Sequence, residues 1–358
     1  MKQINEKIYN YNDPLCVAEA LEKAKQKMIK ESNSIYKRFI LFDKAQYEKI
    51  NKFKYSGLKI DYICSDTCTF DVNNNQVIIK NSANSTKEIV INFDESDSTI
   101  IYCKSGYLNP DVVYLLNKFI DLGFFVLNNP ANVQISSNKL ITAKLFDEAN
   151  IQQPKYNVIT AADCDIDADE EAFKNILRTI YEEENEDNEY VCKILDGHGG
   201  HGVFICTESN ILSVVQCVFA VKKDLSKILI QEKLNIEDGD IRAYVLNING
   251  KQEIIDCIMR QKSSGDFRTN ISLGNGITKF KLKDEYQALV KRAARASGLI
   301  ISGIDLCITK EDKQAYIIEI NGAPGAPTAI NINEDENREA HEKFYTNIIN
   351  TIFELTND

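Results

Sequence analysis

Between Tyr36 and Leu127 the apolar residues fall in short runs separated by polar breaks. Runs of this length rich in β-branched and aromatic residues predict strands: Phe39–Phe42, Ile60–Ile63, Val77–Ile79, Ile89–Ile91 and Thr99–Tyr102. Pro110–Leu122 predicts a helix that stops at Gly123, and Phe124–Leu127 the strand after it. Strands alternating with helices predict an open α/β domain over roughly 36–135. Within it, the polar stretch Asp71–Lys87 reads as a hairpin turning at Asn73-Asn74-Asn75. Ahead of it, Asp13 and Pro14 suit an N-cap and a first-turn proline, and Leu15, Val17, Ala18, Leu21, Ala24 and Met28 recur at helical spacing. An amphipathic helix over 14–31 follows, with no visible chemistry.

Asn128-Asn129-Pro130 breaks the pattern and suggests a domain boundary. A helix is predicted over Ser136–Ala149, with Lys139 in its first turns, then a short strand at Val158-Ile159. Acidic runs, Asp163–Glu171 and Glu182–Glu189, flank an amphipathic helix carrying Phe173, Ile176, Leu177 and Ile180, and read as solvated faces and a loop. Two strand-like runs, Tyr190–Leu195 and Val203–Cys206, then enclose a glycine-rich turn. A helix near 210–222 and a strand at Ile228–Glu232 come next. Ile241–Ile248 and Gln252–Arg260 form a hairpin across Asn249-Gly250, a strong turn signal. The rest predicts a helix over 283–297 ending at Gly298, paired strands Ile304–Ile308 and Tyr316–Ile320, and a closing helix over 335–355. No internal repeat is present.

Composition narrows the class. Lys and Arg number 42 against 53 Asp and Glu, a formal charge of −11, which disfavours a nonspecific nucleic-acid role. No apolar run approaches the roughly 20 residues of a membrane span, and Met1–Asn12 is no signal segment. The expected location is the cytoplasm, with the ten cysteines reduced. Only Cys64 and Cys68 lie close together and there are three histidines, so structural zinc is not expected.

The candidate chemistry begins at the glycine-rich turn. Glycines admit close backbone approach, and successive N–H groups in such a turn cradle phosphate oxygens. Lys193 would bring a positive charge to the same phosphates. Gly197, Gly199 and Gly202 match the dinucleotide fingerprint as a string, but Val203–Cys206 continues as a strand where that fingerprint needs a helix. No Gly-Lys-Ser/Thr closes the loop, and the triplets of protein kinases are missing. Downstream, Glu319 and Asn321 alternate on a strand and so leave one face, about 6.6 Å apart. Pairing the final hairpin about Asp312 sets Asp305 opposite Glu319. Two carboxylates and an amide oxygen on one patch suit Mg²⁺, which keeps sites for water and phosphates. The alternative is a pair of acids facing solvent from an edge hairpin. Arg242, Arg260 and Arg268 supply planar forks suited to carboxylate or phosphate, although each taken singly reads as a surface ion pair.

Taken together, Lys193–Gly202, Gln231-Glu232, Asp240-Ile241-Arg242, Gly265–Asn270, Gly303–Leu306 and Glu319–Gly325 resemble an ATP-grasp protein, and within it the RimK-type ligases. The resemblance spans about Thr99–Pro327. It implies an α/β (α+β) ATP-grasp fold divided into a helical extension (1–35), a pre-ATP-grasp α/β domain (36–130), a small subdomain with the flap (131–232) and a C-terminal subdomain with the metal site (233–358). It implies an ATP-dependent carboxylate–amine ligase, adding an amino acid, often glutamate, to a peptide, protein tail or small-molecule carboxylate through an acyl phosphate. Lys139 and Lys193 would touch ATP phosphates beneath Gly199, Gly200 and His201. Gln231, Glu232, Lys233 and Leu234 would surround adenine, with Asp240 near the ribose and Arg242 beside the nucleotide. Arg268, Thr269 and Asn270 would line the acyl-phosphate region, and Arg260 would face the transferred group. Asp305, Glu319 and Asn321 would hold Mg²⁺, two ions being expected and Mn²⁺ admissible.

Two residues depart from the family pattern. Gln261 stands where relatives often carry a second arginine, which weakens the expectation of glutamate, and His198 and His201 occupy loop positions usually small, polar or basic. No general base stands out. A nucleotide-binding regulatory module without turnover and a kinase-like phosphotransferase stay open as alternatives, as does homo-oligomerisation. No membrane or direct nucleic-acid partner is expected.

Overall fold

A computed structural model describes residues 38–43, 59–105, 107–165, 170–197, 201–236, 239–261, 277–325, 344, 347–348 and 351–352. The first elements are β1 (Arg38–Asp43), β2 (Lys59–Cys64), β3 (Thr69–Val72), β4 (Gln76–Lys80), β5 (Glu88–Asn92), β6 (Thr99–Cys103), α1 (Pro110–Asp121) and β7 (Phe125–Leu127). Strands β2-β1-β6-β7 form a parallel sheet in that order. The chain leaves β1 toward β2 on one side and resumes at β6 on the other, so the sheet has a switch point between β1 and β6.

Val77–Ile79 and Ile89–Ile91 do not join that sheet. They belong to a separate antiparallel sheet, β3-β4-β5. The reason is their alternation: Val77, Ile79, Ile89 and Ile91 are buried while intervening residues such as Val90 face outward. A one-faced pattern suits an antiparallel sheet, whereas the parallel strands are buried on both faces. The Asn-rich turn is where the sequence puts it, with Asn73 Oδ1 accepting from Asn75 N and Gln76 N at 3.0 Å each.

Next come α2 (Pro130–Ser136), α3 (Lys139–Glu148), β8 (Tyr156–Thr160), α4 (Glu170–Arg178), β9 (Glu189–Ile194), β10 (Val203–Thr207), α5 (Ile211–Val221) and β11 (Lys227–Glu232). The helix expected over Ser136–Ala149 is two helices in part. Ser136 ends α2, and Asn138 caps α3, its Oδ1 accepting from Leu140 N and Ile141 N at 3.1 Å. That cap makes Lys139 the first helical residue. Strands β10-β9-β11-β8 form an antiparallel sheet. Tyr190, Cys192, Ile228 and Ile230 point from it into a core shared with Phe173 and Leu177 of α4 and Ile211 and Val215 of α5.

The last unit holds β12 (Gly239–Ile248), β13 (Lys251–Gln261), β14 (Ile277–Lys279), α6 (Asp284–Ser297), β15 (Ile301–Ile308) and β16 (Ala315–Asn321), with sheet order β14-β13-β12-β15-β16. Strand β14 has no counterpart in the sequence reading; three residues carry too little pattern. Asn249 and Gly250 both take positive φ, +52° and +76°, as a two-residue hairpin turn requires. Ile241, Ala243, Val245, Ile304, Leu306 and Ile320 pack beneath α6 residues Leu289, Val290, Ala293 and Ala294. On the far side of the parallel sheet, Phe39, Leu41, Tyr102 and Leu127 meet Tyr244, Leu246 and Ile301. Phe344, Ile348 and Ile352, helical like Asn347 and Thr351, join that core; the other residues of the expected closing helix, and the helix expected over 14–31, lie outside the described residues. No described helix is long and apolar enough to cross a membrane.

Candidate active site

Alternation on the last sheet sends Ile241, Ala243, Ile304, Leu306 and Ile320 to α6, and Arg242, Asp305 and Glu319 to the other side. Arg242 of β12 pairs with Asp305 of β15, and Asp305 with Glu319 of β16, so the three side chains form a row. Asp305 does face Glu319, by a different route from a turn symmetric about Asp312. Near the turn Cys307 pairs with Tyr316, and an irregularity between Asp305 and Leu306 shifts the register by one. Asn321, opposite Gly303, continues the row, its Nδ2 lying 3.4 Å from Asp305 Oδ2.

Asp305 is 3% exposed and fully engaged. Arg242 binds it through Nε and Nη2 at 2.6 and 2.7 Å, and Arg260 Nη2 lies 2.9 Å from Oδ2. Burial pushes the Asp305 carboxyl up, but the two guanidinium groups outweigh it and hold the acid below the usual carboxylate range. Arg260, 3% exposed, also forks onto Asp240, with Nε donating to Oδ1 at 2.8 Å. Asp240 and Arg260 are thus bonded to each other, and Arg260 and Arg242 form a buried and a half-buried ion pair instead of surface ones.

Two lysines approach the row from other elements. Lys139, at the N-terminus of α3, donates its Nζ to Gly197 O and lies 3.6 Å from Glu319 Oε1. Lys193 projects from β9 on the face opposite Cys192 and is 7% exposed. Burial lowers its ammonium to about 8; Glu319 and Asp305 pull the value up, and the neighbouring Lys139 pushes it down. A lysine whose ammonium is weakened by burial beside a second cation would be restored to full charge by a strongly anionic ligand.

By register, Val191, Leu229 and Gln231 share the face of Lys193, an apolar floor with one buried amide. Glu232 Oε1 accepts from Lys155 N at 2.7 Å, Lys233 pairs with Glu189, and Leu234 is half-buried in the segment leaving β11. In the flap turn, a Cβ on Gly197 would meet His201 O at 2.4 Å, so the backbone closes too tightly for a side chain. Gly202 takes φ +75°, and His201 is exposed. His198, Gly199, Gly200, Arg268, Thr269 and Asn270 lie outside the described residues.

Glu319 and Asn321 open onto a cavity of about 490 Å³ also lined by Asp66, Lys104, Ser105 and Gln134. Lys104 follows β6, next to the switch point, and its N–H donates to Phe42 O at 2.8 Å. Lys104 is the one cationic side chain among the described lining residues. The donors fit a hard dication: Asp305, Glu319 and Asn321 offer oxygens alone, without thiolate or imidazole. Among the described residues no group of three His, Cys, Asp or Glu is placed to hold a metal ion, so the row would depend on its amide oxygen and on the nucleotide for further donors.

Sequence reasoning missed Asn128. Its side chain is fully buried and bonds the backbone of Ile300, Ile301 and Gly322, more than 170 positions away. Only its place in an Asn-Asn-Pro break marked it, and that signal reads as a turn.

Known proteins are similar to this chain in sequence and in fold. The chain is 28% identical over 213 residues to a probable alpha-L-glutamate ligase of Stutzerimonas stutzeri (strain A1501), covering 59% of this chain and 64% of that protein. It is 32% identical over 137 residues to probable alpha-L-glutamate ligase 1 of Shewanella sp. (strain MR-4), covering 38% and 42%. The chain therefore spans less than two thirds of the length of these relatives. In fold it is similar to D-alanyl-alanine synthetase A from Vibrio cholerae (TM-score 0.57, 13% identity, 91% of this chain and 100% of that one). It is also similar to a Chryseobacterium gregarium RiPP-associated ATP-grasp ligase in complex with ADP and a leader and core peptide (TM-score 0.58, 13% identity, 87% and 96%). Those likenesses establish the ATP-grasp fold. The family model for the RimK-like ATP-grasp domain matches residues 136–339, more than half of the chain, which belongs to that family.

Proposed function

We propose that the protein is an ATP-dependent carboxylate–amine ligase that forms an amide bond through an acyl phosphate. The observation that carries this reading is the convergence of Lys139 and Lys193, from separate elements, on the Glu319 side of the Asp305–Glu319–Asn321 row. Two cations over an oxygen-donor row fit a metal-bound triphosphate. The names of the curated relatives and the ligands of the structural neighbours point the same way.

On this reading Lys139 and Lys193 neutralise the phosphates of ATP. The face carrying Val191, Leu229 and Gln231 receives adenine, with Glu232, Lys233 and Leu234 at its edge. Arg242 and Arg260 keep Asp305 ionised, so that it serves with Glu319 and Asn321 as a hard donor for Mg²⁺. Two ions are the expected number, and Mn²⁺ an admissible substitute. Bound there, the dication offsets phosphate charge and leaves the γ-phosphoryl group open to attack. A carboxylate oxygen of the acceptor attacks that phosphorus and ADP leaves. The amine of an amino acid then adds to the acyl carbon, phosphate departs and the amine loses a proton. The sheet carrying Lys193 has a core of its own, which lets it close over the reacting groups as a body and exclude the water that would hydrolyse the acyl phosphate.

The cavity beside Glu319 suits the acceptor or amine partner, a peptide, protein tail or small molecule on one side and an amino acid on the other. Glutamate is the amine donor that the relatives' names suggest, with Lys104 as the cation to meet a carboxylate. The test is an array of amino acids and carboxylates with ATP, read by phosphate release and product mass. A product heavier by one amide-linked residue is expected. Nucleotide binding without turnover across the array, or a stable phosphorylated product, would overturn the reading.

A further inference from the structure

Asn321 is the last residue of β16, so the place of its amide oxygen depends on how the chain is fixed immediately beyond it. Two side chains of the parallel sheet do the fixing. Asn128, directly after β7, donates Nδ2 to Gly322 O at 2.5 Å and to Ile301 O at 2.6 Å. Its Oδ1 accepts from Ile300 N at 2.7 Å and Ile301 N at 2.8 Å. Both amide protons and both lone pairs are used, in a fully buried setting where each bond is strengthened by the low dielectric. Tyr102 of β6, also fully buried, donates its hydroxyl to Pro324 O at 3.1 Å.

The bonded groups are not scattered. Ile301 opens the strand that carries Asp305, and Gly322 follows the strand that carries Glu319 and Asn321. From the other side there is no slack: a Cβ on Gly322 would meet Ser136 Oγ at 2.8 Å, Val133 at 3.1 Å and Leu299 at 3.2 Å. We propose that Asn128 and Tyr102 are positioning residues for the divalent-cation patch, acting through Gly322 and Pro324 to set Asn321 against Asp305 and Glu319. The proposal rests on reading that row as the cation site. It makes the N-terminal sheet part of the cation site, although it supplies no ligand.

The test is Mn²⁺ binding to the full chain with ADP present, followed by electron paramagnetic resonance, for wild type, Asn128→Ala and Tyr102→Phe. ADP affinity without metal and the melting temperature are recorded in parallel. Outer partners of metal ligands are typically worth 10–100-fold in affinity, so Asn128→Ala should weaken Mn²⁺ binding by about tenfold or more. Tyr102→Phe, which keeps the ring and removes one neutral hydrogen bond, should weaken it by about threefold. ADP affinity without metal should hold in both. A lowered melting temperature with unchanged Mn²⁺ affinity would mark a merely structural tie and overturn the proposal. Should Asn128→Ala not fold, the Tyr102→Phe curve decides alone. Absence of Mn²⁺ binding by the wild type would sink the cation-site reading, and this proposal with it.

Discussion

Lys193 shows what a single side chain reveals and what it hides. Its type and its place before a glycine-rich turn are plain in the sequence; its low ammonium value is not, because burial against Asp305, Glu319 and Lys139 is long-range. The sign follows from the direction of the shift. The free protein's Lys193 is charged below about 8 and neutral above it, and a bound triphosphate favours the charged form. Nucleotide affinity should therefore be full below pH 8 and fall by up to about tenfold per pH unit above it, with proton uptake on binding. Calorimetry in buffers of different ionisation enthalpy measures that uptake, and Lys193→Met should abolish it. For stability the sign is opposite. Between about 8 and the ordinary lysine value the unfolded chain holds the extra proton, so this group's share of stability rises with pH over that window. The arginines teach a similar lesson. Asp240 and Arg242 alternate on one strand and so share a face, which is legible. Their partners, Arg260 and Asp305, depend on register across three strands, which is not. Because Asp240 and Arg260 are both nearly fully buried, Asp240→Ala should cost about 3–5 kcal/mol in urea unfolding, by leaving a guanidinium short of a partner.

At the scale of elements, patterns of period two and of helical spacing carried most of the fold. The parallel strands, the hairpin at Asn249-Gly250 and the helix closing at Gly298 with φ +65° sit where their residues predict. Where the pattern failed, a local interaction had won. Asn138 captures two backbone N–H groups and divides one expected helix into the end of α2 and the whole of α3. The division matters for the site, because it places Lys139 at a helix start facing Gly197 and Glu319. Asn138→Ala should lower stability by about 1 kcal/mol, as cap removals do. Since the first turn then frays, nucleotide affinity should fall with it; unchanged affinity would mean that Lys139 holds its place without the cap. The register shift beside Asp305 is another such case. The sequence reading reached the right partner for Asp305 through an assumed symmetric turn, while the molecule reaches it through an irregularity that no local pattern announces.

Across the whole molecule the site is a meeting of three sheets, and no single one contains it. The last sheet supplies Asp305, Glu319 and Asn321, the flap sheet supplies Lys193, and the parallel sheet supplies the cavity wall at Lys104 and the fastening at Asn128. The family motifs made the first two legible. The third rests on contacts between residues more than 170 positions apart, which one sequence cannot reveal. The arrangement also limits what the chemistry can be. Cations over a row of oxygen donors, beside a cavity and under a sheet with its own core, suit phosphoryl transfer to a carboxylate followed by capture of the product before water reaches it. The most direct test uses an acceptor found in the amino-acid and carboxylate array, its carboxylate labelled with ¹⁸O. A carboxylate oxygen that attacks the γ-phosphorus becomes the bridging atom of the acyl phosphate and leaves with phosphate when the amine displaces it. One ¹⁸O in each phosphate released, matched to one amide formed, is the predicted result; unlabelled phosphate accompanying the product would contradict it.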